Sequence, residues 1–443
     1  MSFLELTFFL FFCLFYPAFL WLAQKARTAS FILLFGASCL FYAFAGFSHL
    51  PLLLFSNTVA YSAGIWIQRT SFRRSVLALS CVVLAAPLVL FKYASFFFPG
   101  FALNLGIPLG ISFFTFQNLS YTIDVYRGMP PERNFLLYQT YGAFFPHLAA
   151  GPIVRARTFL PQLRGDFLSK ARLRPALFYI AGGYAKKILA DRLAGVVDPV
   201  FAQPGQAGSG MAWTAVAAYS LQIYLDFSGY TDIAIGVARL CGFELPENFR
   251  FPYSASSFRD FWRRWHISLS TWLRDYIYIP LGGSRKGAGR LFLAVVGTMT
   301  IGGLWHGSSW NFVLWGFLHG ILLLLDRLIP EKTRRSGRPF FVLLTFLSVS
   351  MLWVLFRARN FADAIVLYQT LFVFKAGPLG RSDVNLTLLG LILVVLGSAF
   401  YTNLKRFFYR GVSVESAALS LGAIALALVV LSPGSASFLY FIF

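Results

Sequence analysis

A chain of 443 residues that is 58% hydrophobic, 18% aromatic and only 12% charged, with a mean hydropathy of +0.67, cannot hide its apolar surface in a water-soluble fold, where about 25% of residues are charged. The net charge of +21 does not point to nucleic acid, because the basic residues fall in short clusters between apolar runs and no basic domain carries a phosphate-binding surface. Cys13, Cys39, Cys81 and Cys241 lie in or beside apolar segments without paired or metal-like spacing, which leaves them as small buried apolar residues rather than a disulfide framework.

The first apolar run lacks a basic n-region and a small-residue cleavage site and is longer than a signal h-region, so it reads as a retained helix. In chain order, spans are expected at about 3–23, 30–47, 50–67, 75–96, 107–124, 175–197, 213–238, 290–306, 309–326, 338–356, 384–403 and 416–432. Segments 134–150 and 258–283 are shorter and read as re-entrant or interfacial, and Phe361 to Phe374 has the mixed polarity of an interfacial amphipathic helix. The fold class is therefore all-α, a polytopic transmembrane helical bundle of roughly 11–13 spans with re-entrant and interfacial helices. It forms one membrane domain, with N-terminal helices at 1–98, a core at 100–326 and C-terminal helices at 327–443.

The linkers carry an orientation. Lys25 and Arg27, then Arg69, Arg73 and Arg74, then Arg155, Arg157, Arg164, Lys170, Arg172 and Arg174, then Lys332, Arg334, Arg335 and Arg338 all fall on one side if the N-terminus is exported. The alternate connections Gly46 to Pro51 and Gln203 to Gly210 hold no Lys or Arg. Arg357, Arg359, Lys375 and Arg381 are the exceptions. A multi-pass membrane protein with its N-terminus on the exported side fits this pattern, with the lipid bilayer as an obligate partner and no nucleic acid.

Polar groups inside apolar segments are costly and hence candidates for function. The span around 213–238 reads Tyr219-Ser-Leu-Gln222-Ile-Tyr224-Leu-Asp226-Phe-Ser228-Gly-Tyr230-Thr-Asp232; its two carboxylates either serve a site or pair with arginines to brace the bundle. Ser257 to Tyr276 interleaves aromatic residues with Arg259, Arg263, Arg264 and Arg274 around His266, and taken alone this is an interfacial anchor facing anionic lipid. Trp305-His306-Gly307 follows two glycines at the end of an apolar span, and His319 sits in the next one. Three of the five histidines thus fall in one region. Their spacing is not that of a zinc site. There is no Gly-x-Ser-x-Gly elbow and no phosphate-binding loop of the Gly-x-x-x-x-Gly-Lys-Ser/Thr kind. An imidazole in an apolar cavity remains, a setting suited to general-base removal of a hydroxyl proton.

Arg259-Asp-Phe-Trp-Arg-Arg-Trp-His266, the following Ile-Ser-Leu-Ser-Thr-Trp-Leu-Arg274-Asp275-Tyr-Ile-Tyr-Ile-Pro280-Leu-Gly-Gly and Gly303-Leu-Trp305-His306-Gly307 resemble the core of the membrane-bound O-acyltransferase family. Ile107 to Gln117, Tyr121 to Gly128, Phe145 to Arg155, Lys186-Lys187 and Leu225 to Gly236 are similar to the branch that acetylates alginate and other bacterial cell-envelope polysaccharides. The resemblance implies an O-acetyltransferase that takes an acetyl group from cytoplasmic acetyl-CoA, with no bound cofactor or metal, and passes it through a membrane tunnel. It implies His306 and His266 as the catalytic pair, with His319, Trp305, Gln222, Asp226, Ser228, Tyr230 and Asp232 as possible support. Arg259, Arg263, Arg264 and Arg274 become candidates for the donor's phosphates, beside the lipid-headgroup alternative. Implied partners are a periplasmic SGNH-hydrolase-like acetyltransferase and a polysaccharide export complex. Two other readings stay open: D-alanyl transfer to teichoic acid from a carrier protein, and a transporter or flippase that uses the intramembrane charges.

Overall fold

The computed structural model describes residues 3–98, 106–148, 150–168 and 173–373. Among the described residues there are helices and connecting turns but no strand, as an apolar environment demands of a backbone that must satisfy its own hydrogen bonds. The expected spans at 384–403 and 416–432, together with Lys170, Arg172, Lys375 and Arg381, lie outside the described residues.

The helices run α1 (Leu6–Lys25), α2 (Arg27–Gly46), α3 (Leu50–Arg69), α4 (Arg73–Leu88), α5 (Ala94–Phe97), α6 (Ile111–Tyr126), α7 (Phe135–Ala143), α8 (Phe145–Leu148), α9 (Ala156–Arg164), α10 (Leu173–Ala202), α11 (Ser209–Leu240), α12 (Phe258–Arg264), α13 (Ile267–Leu273), α14 (Ala288–His306), α15 (Trp310–Leu325), α16 (Glu331–Ser336), α17 (Arg338–Arg357) and α18 (Phe361–Phe372). Six described segments are long and apolar enough to cross a membrane: Leu6–Lys25, Arg27–Arg69, Arg73–Phe97, Ala288–His306, Trp310–Leu328 and Arg338–Arg357. The second of these is a 43-residue run that contains both α2 and α3, two expected spans. α6 has 16 residues, about 24 Å of helix at 1.5 Å per residue, short of a bilayer core of about 30 Å. α10 and α11 are longer, but charged and polar groups interrupt their apolar runs. The 134–150 and 258–283 segments are broken into short helices, the latter with a π-helical turn at Arg274–Tyr278. The amphipathic segment after Asn360 is α18, whose N-cap is the Asn360 side chain accepting from the Asp363 N–H.

The chain packs as two compact units, residues 1–181 with 230–246 and residues 182–229 with 247 onward. In the first unit, buried polar residues satisfy one another. The Asn118 amide donates to the Asn57 carbonyl oxygen at 3.0 Å, the Asn57 amide donates to Gln139 at 3.3 Å, and the Tyr138 hydroxyl donates to Asn118 Oδ1 at 3.0 Å. This stitches α3, α6 and α7 together where unpaired amides would be costly. Gly142 makes room for it, since a Cβ there would lie 2.5 Å from the Asn57 side chain.

In the second unit, α14 and α15 form a hairpin with nearly touching backbones. A Cβ on Gly303 would lie 2.1 Å from the Phe312 carbonyl oxygen, and one on Gly316 would lie 2.3 Å from the Met299 carbonyl oxygen, so only glycine fits at either position. The buried cluster around this hairpin draws Trp315 from α15, Trp262 and Trp265 from α12 and its C-cap, and Trp353 and Phe356 from α17. α10 and α11 also approach closely, with Gly229 under the Gly183 carbonyl. The buried Lys187 ammonium on α10 donates to Asp226 on α11 at 2.7 Å and to Asp191 at 2.6 Å.

Candidate active site

His266 occupies an unusual backbone position. It has φ 42° and ψ 55°, a left-handed conformation uncommon for a non-glycine residue, and it is the N-cap of α13 immediately after α12 ends. The preceding loop holds it there. The Asn248 backbone carbonyl accepts from the Ile267 N–H at 2.9 Å, and the Arg250 N–H donates to the Arg264 carbonyl at 3.0 Å. The Asn248 side-chain oxygen accepts from the Ser268 N–H at 3.1 Å. Buried Asn248 is thus a positioning residue that the motifs alone did not single out; its signal is an asparagine buried in a loop next to a tight helix-to-helix turn.

The turn delivers a fully buried imidazole, at 0% exposure, into an aromatic pocket. Its ring lies 4.8 Å from Phe227, 5.9 Å from Trp305 and 6.4 Å from His306. Burial lowers its pKa to about 3, which leaves a neutral imidazole able to accept a proton or share a hydrogen bond. His306 ends α14, and the chain escapes through Gly307, where a Cβ would lie 2.0 Å from the Phe312 ring. Its ring packs on Trp315 at 5.3 Å, on Phe356 at 5.1 Å and on Trp305 at 5.0 Å. Trp305 packs against both imidazoles. His319 packs on Trp315 at 4.7 Å, the tryptophan that also packs on His306.

The arginines divide. Arg259, Arg263 and Arg274 line a cavity of about 470 Å³, together with Trp262, Ile267, Ser270, Thr271, Thr298, Met299 and Leu323. Arg264 points elsewhere, bonded to Asp260 at 2.9 Å and to Ser254 at 3.2 Å. The reason is helical spacing: Arg259 and Arg263 are four apart and share a face, while Arg264 is a further 100° round. Arg327, not among the sequence candidates, completes the rim; the signal was its place two turns after His319 and one after Leu323. Arg274 is partly neutralised by Asp275 at 2.8 Å. Among the described residues no carboxylate pairs with Arg259, Arg263 or Arg327. The cavity therefore has a cationic rim on mostly apolar walls, suited to an anionic head with an apolar or weakly polar tail.

The remaining candidates have other surroundings. Asp226 braces α10 to α11, and its partner is Lys187 rather than an arginine. Gln222 and Ser228 are buried on α11, and neither Gln222 Oε1 nor Ser228 Oγ has a hydrogen-bond partner among the described residues. What α11 brings to His266 is the Phe227 ring. Tyr230 and Asp232 belong to the first unit, where Tyr230 packs 5.0 Å from Phe3.

The model of the membrane-bound O-acyltransferase family matches residues 132–356. The chain belongs to the membrane-bound O-acyltransferase family. It is 39% identical over 394 residues, 84% of this chain and 78% of the relative, to a protein of Azotobacter vinelandii named as a probable alginate O-acetylase. It is 36% identical over 374 residues, 74% of this chain and 71% of the relative, to the peptidoglycan O-acetyltransferase of Helicobacter pylori. A lower similarity, 30% over 241 residues, covers 49% of this chain and 58% of the teichoic acid D-alanyltransferase of Lacticaseibacillus rhamnosus. As a member of this family the chain is a multi-pass membrane O-acyltransferase, and the matched segment contains His266, His306, His319 and the arginine cavity.

Proposed function

We propose that this enzyme takes an acetyl group from acetyl-CoA on the cytoplasmic side and passes it across the membrane for O-acetylation of a cell-envelope or exported polysaccharide. The observation that carries the reading is the buried pair His266 and His306, with ring centroids 6.4 Å apart, beside a cavity whose wall includes Ile267, the residue after His266. Arg259, Arg263, Arg274 and Arg327 would receive the donor's phosphates, and Trp262, Met299 and Leu323 would flank its arm. His306 would take the proton from an acceptor hydroxyl as the oxygen attacks the thioester carbonyl. The new C–O bond forms as the C–S bond breaks, and the departing thiolate takes up the proton. His266, neutral and buried, would hold the carbonyl or the hydroxyl in line. The acetyl group would then reach a periplasmic SGNH-hydrolase-like transferase within a polysaccharide export complex. The relatives named for alginate and peptidoglycan O-acetylation support acetyl over D-alanyl transfer, because they cover more of the chain at higher identity.

The test is to replace His306 by alanine and follow transfer from radiolabelled acetyl-CoA in membranes. The expected loss is at least about 100-fold, the lower end of what general-base catalysis contributes. Unchanged transfer at normal expression rejects the role, and membranes that label only with a D-alanyl carrier reject the donor.

A further inference from the structure

The third histidine touches Trp262, which lines the arginine cavity, and Trp315, which packs on His306. On α15 His319 and Leu323 are spaced by four and share one face, about 6 Å apart along the axis, and Arg327 follows in the 3-10 turn Asp326–Leu328. Leu323 and Arg327 line the cavity, and His319 is the next step inward. From α12 the cavity-lining Trp262 places its ring 5.1 Å from His319. On its other side His319 meets Trp315 at 4.7 Å, and Trp315 meets His306 at 5.3 Å. Cavity, Trp262, His319, Trp315 and His306 are therefore contiguous.

The same path holds a run of polar atoms that no protein group satisfies. Both ring nitrogens of His319, the indole Nε1 of Trp262, the indole Nε1 of Trp315 and the Thr298 hydroxyl are buried without a hydrogen-bond partner among the described residues. His319 is at 0% exposure. Other buried groups are paired, as the Asn57, Asn118 and Gln139 amides are with one another, or open, as Gln222 and Ser228 are, but here the open groups of Trp262, His319 and Trp315 belong to rings in direct contact. Buried donors and acceptors left open in a row call for an explanation.

We propose that His319, with Trp262, binds the amide-bearing arm of the thioester donor as it threads from the arginine cavity toward His306. This rests on the donor reading above. An arm carrying secondary amides on a methylene chain matches both features of the path: its amides pair with the imidazole and the indoles, and its methylenes lie on the aromatic rings. His319 is then a donor-binding residue, distinct in task from the His266–His306 pair.

The experiment uses the full-length chain in lipid nanodiscs and compares binding of acetyl-CoA with that of adenosine 3′,5′-bisphosphate, which carries phosphates but no arm. His319→Phe keeps the aromatic packing and should weaken acetyl-CoA at least 10-fold with bisphosphate binding unchanged. His319→Gln, which keeps hydrogen-bonding groups, should recover most of that loss. Trp262→Phe removes the indole N–H while keeping an aromatic ring, and should weaken acetyl-CoA selectively, which keeps the test decisive if His319→Phe fails to fold. Arg263→Gln should weaken both ligands. Wild-type acetyl-CoA binding in His319→Phe and Trp262→Phe, with Arg263→Gln impaired, overturns the role of His319 and leaves the donor reading standing. The same follows if His319→Gln is as impaired as His319→Phe, which marks a packing role. No effect of Arg263→Gln on either ligand overturns the donor reading, and this inference with it.

Discussion

At the residue scale, the histidines of this chain are defined by the backbone that presents them. His266 sits at φ 42°, where asparagine and glycine are at ease and β-branched residues are not. His266→Asn should therefore fold close to wild type yet lose transfer by about 100-fold or more, the contribution expected of a proton-handling or orienting imidazole. His266→Val should lose both, because strain at such a position costs on the order of 1–3 kcal/mol. Acetyl transfer together with thermal unfolding in detergent separates the two variants; equal unfolding temperatures for Asn and Val would contradict the strain argument. Asn248→Ala tests the same turn from outside, since its side chain fixes Ser268 without a described contact to the His266 or His306 ring. It should reduce transfer less than His266→Asn does. The histidines themselves were legible from their motif. That His266 needs a left-handed turn, and that Asn248 supports it, was not legible, because a positive φ leaves no mark on a residue type other than glycine.

At the element scale, two helix pairs carry the second unit. α14 and α15 approach through Gly303 and Gly316, and a methyl group at either would overlap a carbonyl oxygen. Gly303→Ala should part the helices and move His306, with a cost of about 1–3 kcal/mol, typical of overpacking a tight contact. Gly289→Ala serves as a control, since nothing lies within 4 Å of its added Cβ. Transfer rate and unfolding temperature should both fall for the first and hold for the second. α10 and α11 are joined by Lys187 and Asp226, with side chains 6% and 2% exposed. Removing one partner of a buried pair costs about 3–5 kcal/mol, and replacing both by apolar residues costs much less. Lys187→Met with Asp226→Leu should therefore express better than Asp226→Leu alone; membrane yield of the folded protein measures it. If the double variant instead equals the single one, the charges serve something other than bracing. The polar run in α11 marked the helix as special, yet it could not say whether Asp226 bonded a lysine, an arginine or a ligand, because that depends on which helix lies alongside.

At the scale of the whole molecule, the clusters of Lys and Arg predict a topology with the N-terminus exported. In a chain with its four natural cysteines replaced, a cysteine at Ser48, between α2 and α3, should react with a membrane-impermeant reagent from outside. One at Ser71, between α3 and α4, should react only after the membrane is opened. The reverse result would invert the topology.

Apolar composition, helix-length runs and basic linkers were enough by themselves to establish an all-α multi-pass membrane protein, and the ordered motifs from Arg259 to Gly307 were enough to point to the family. These are properties of local residue type and spacing, which the bilayer reads directly through the cost of exposing backbone and charge. Tertiary structure decided that Arg327 joins Arg259 and Arg263 at one cavity, that Asp226 meets Lys187, and that His319 packs against Trp262 of that cavity. Each of these depends on distances between helices far apart in sequence, set by glycine contacts and aromatic packing rather than by any local pattern.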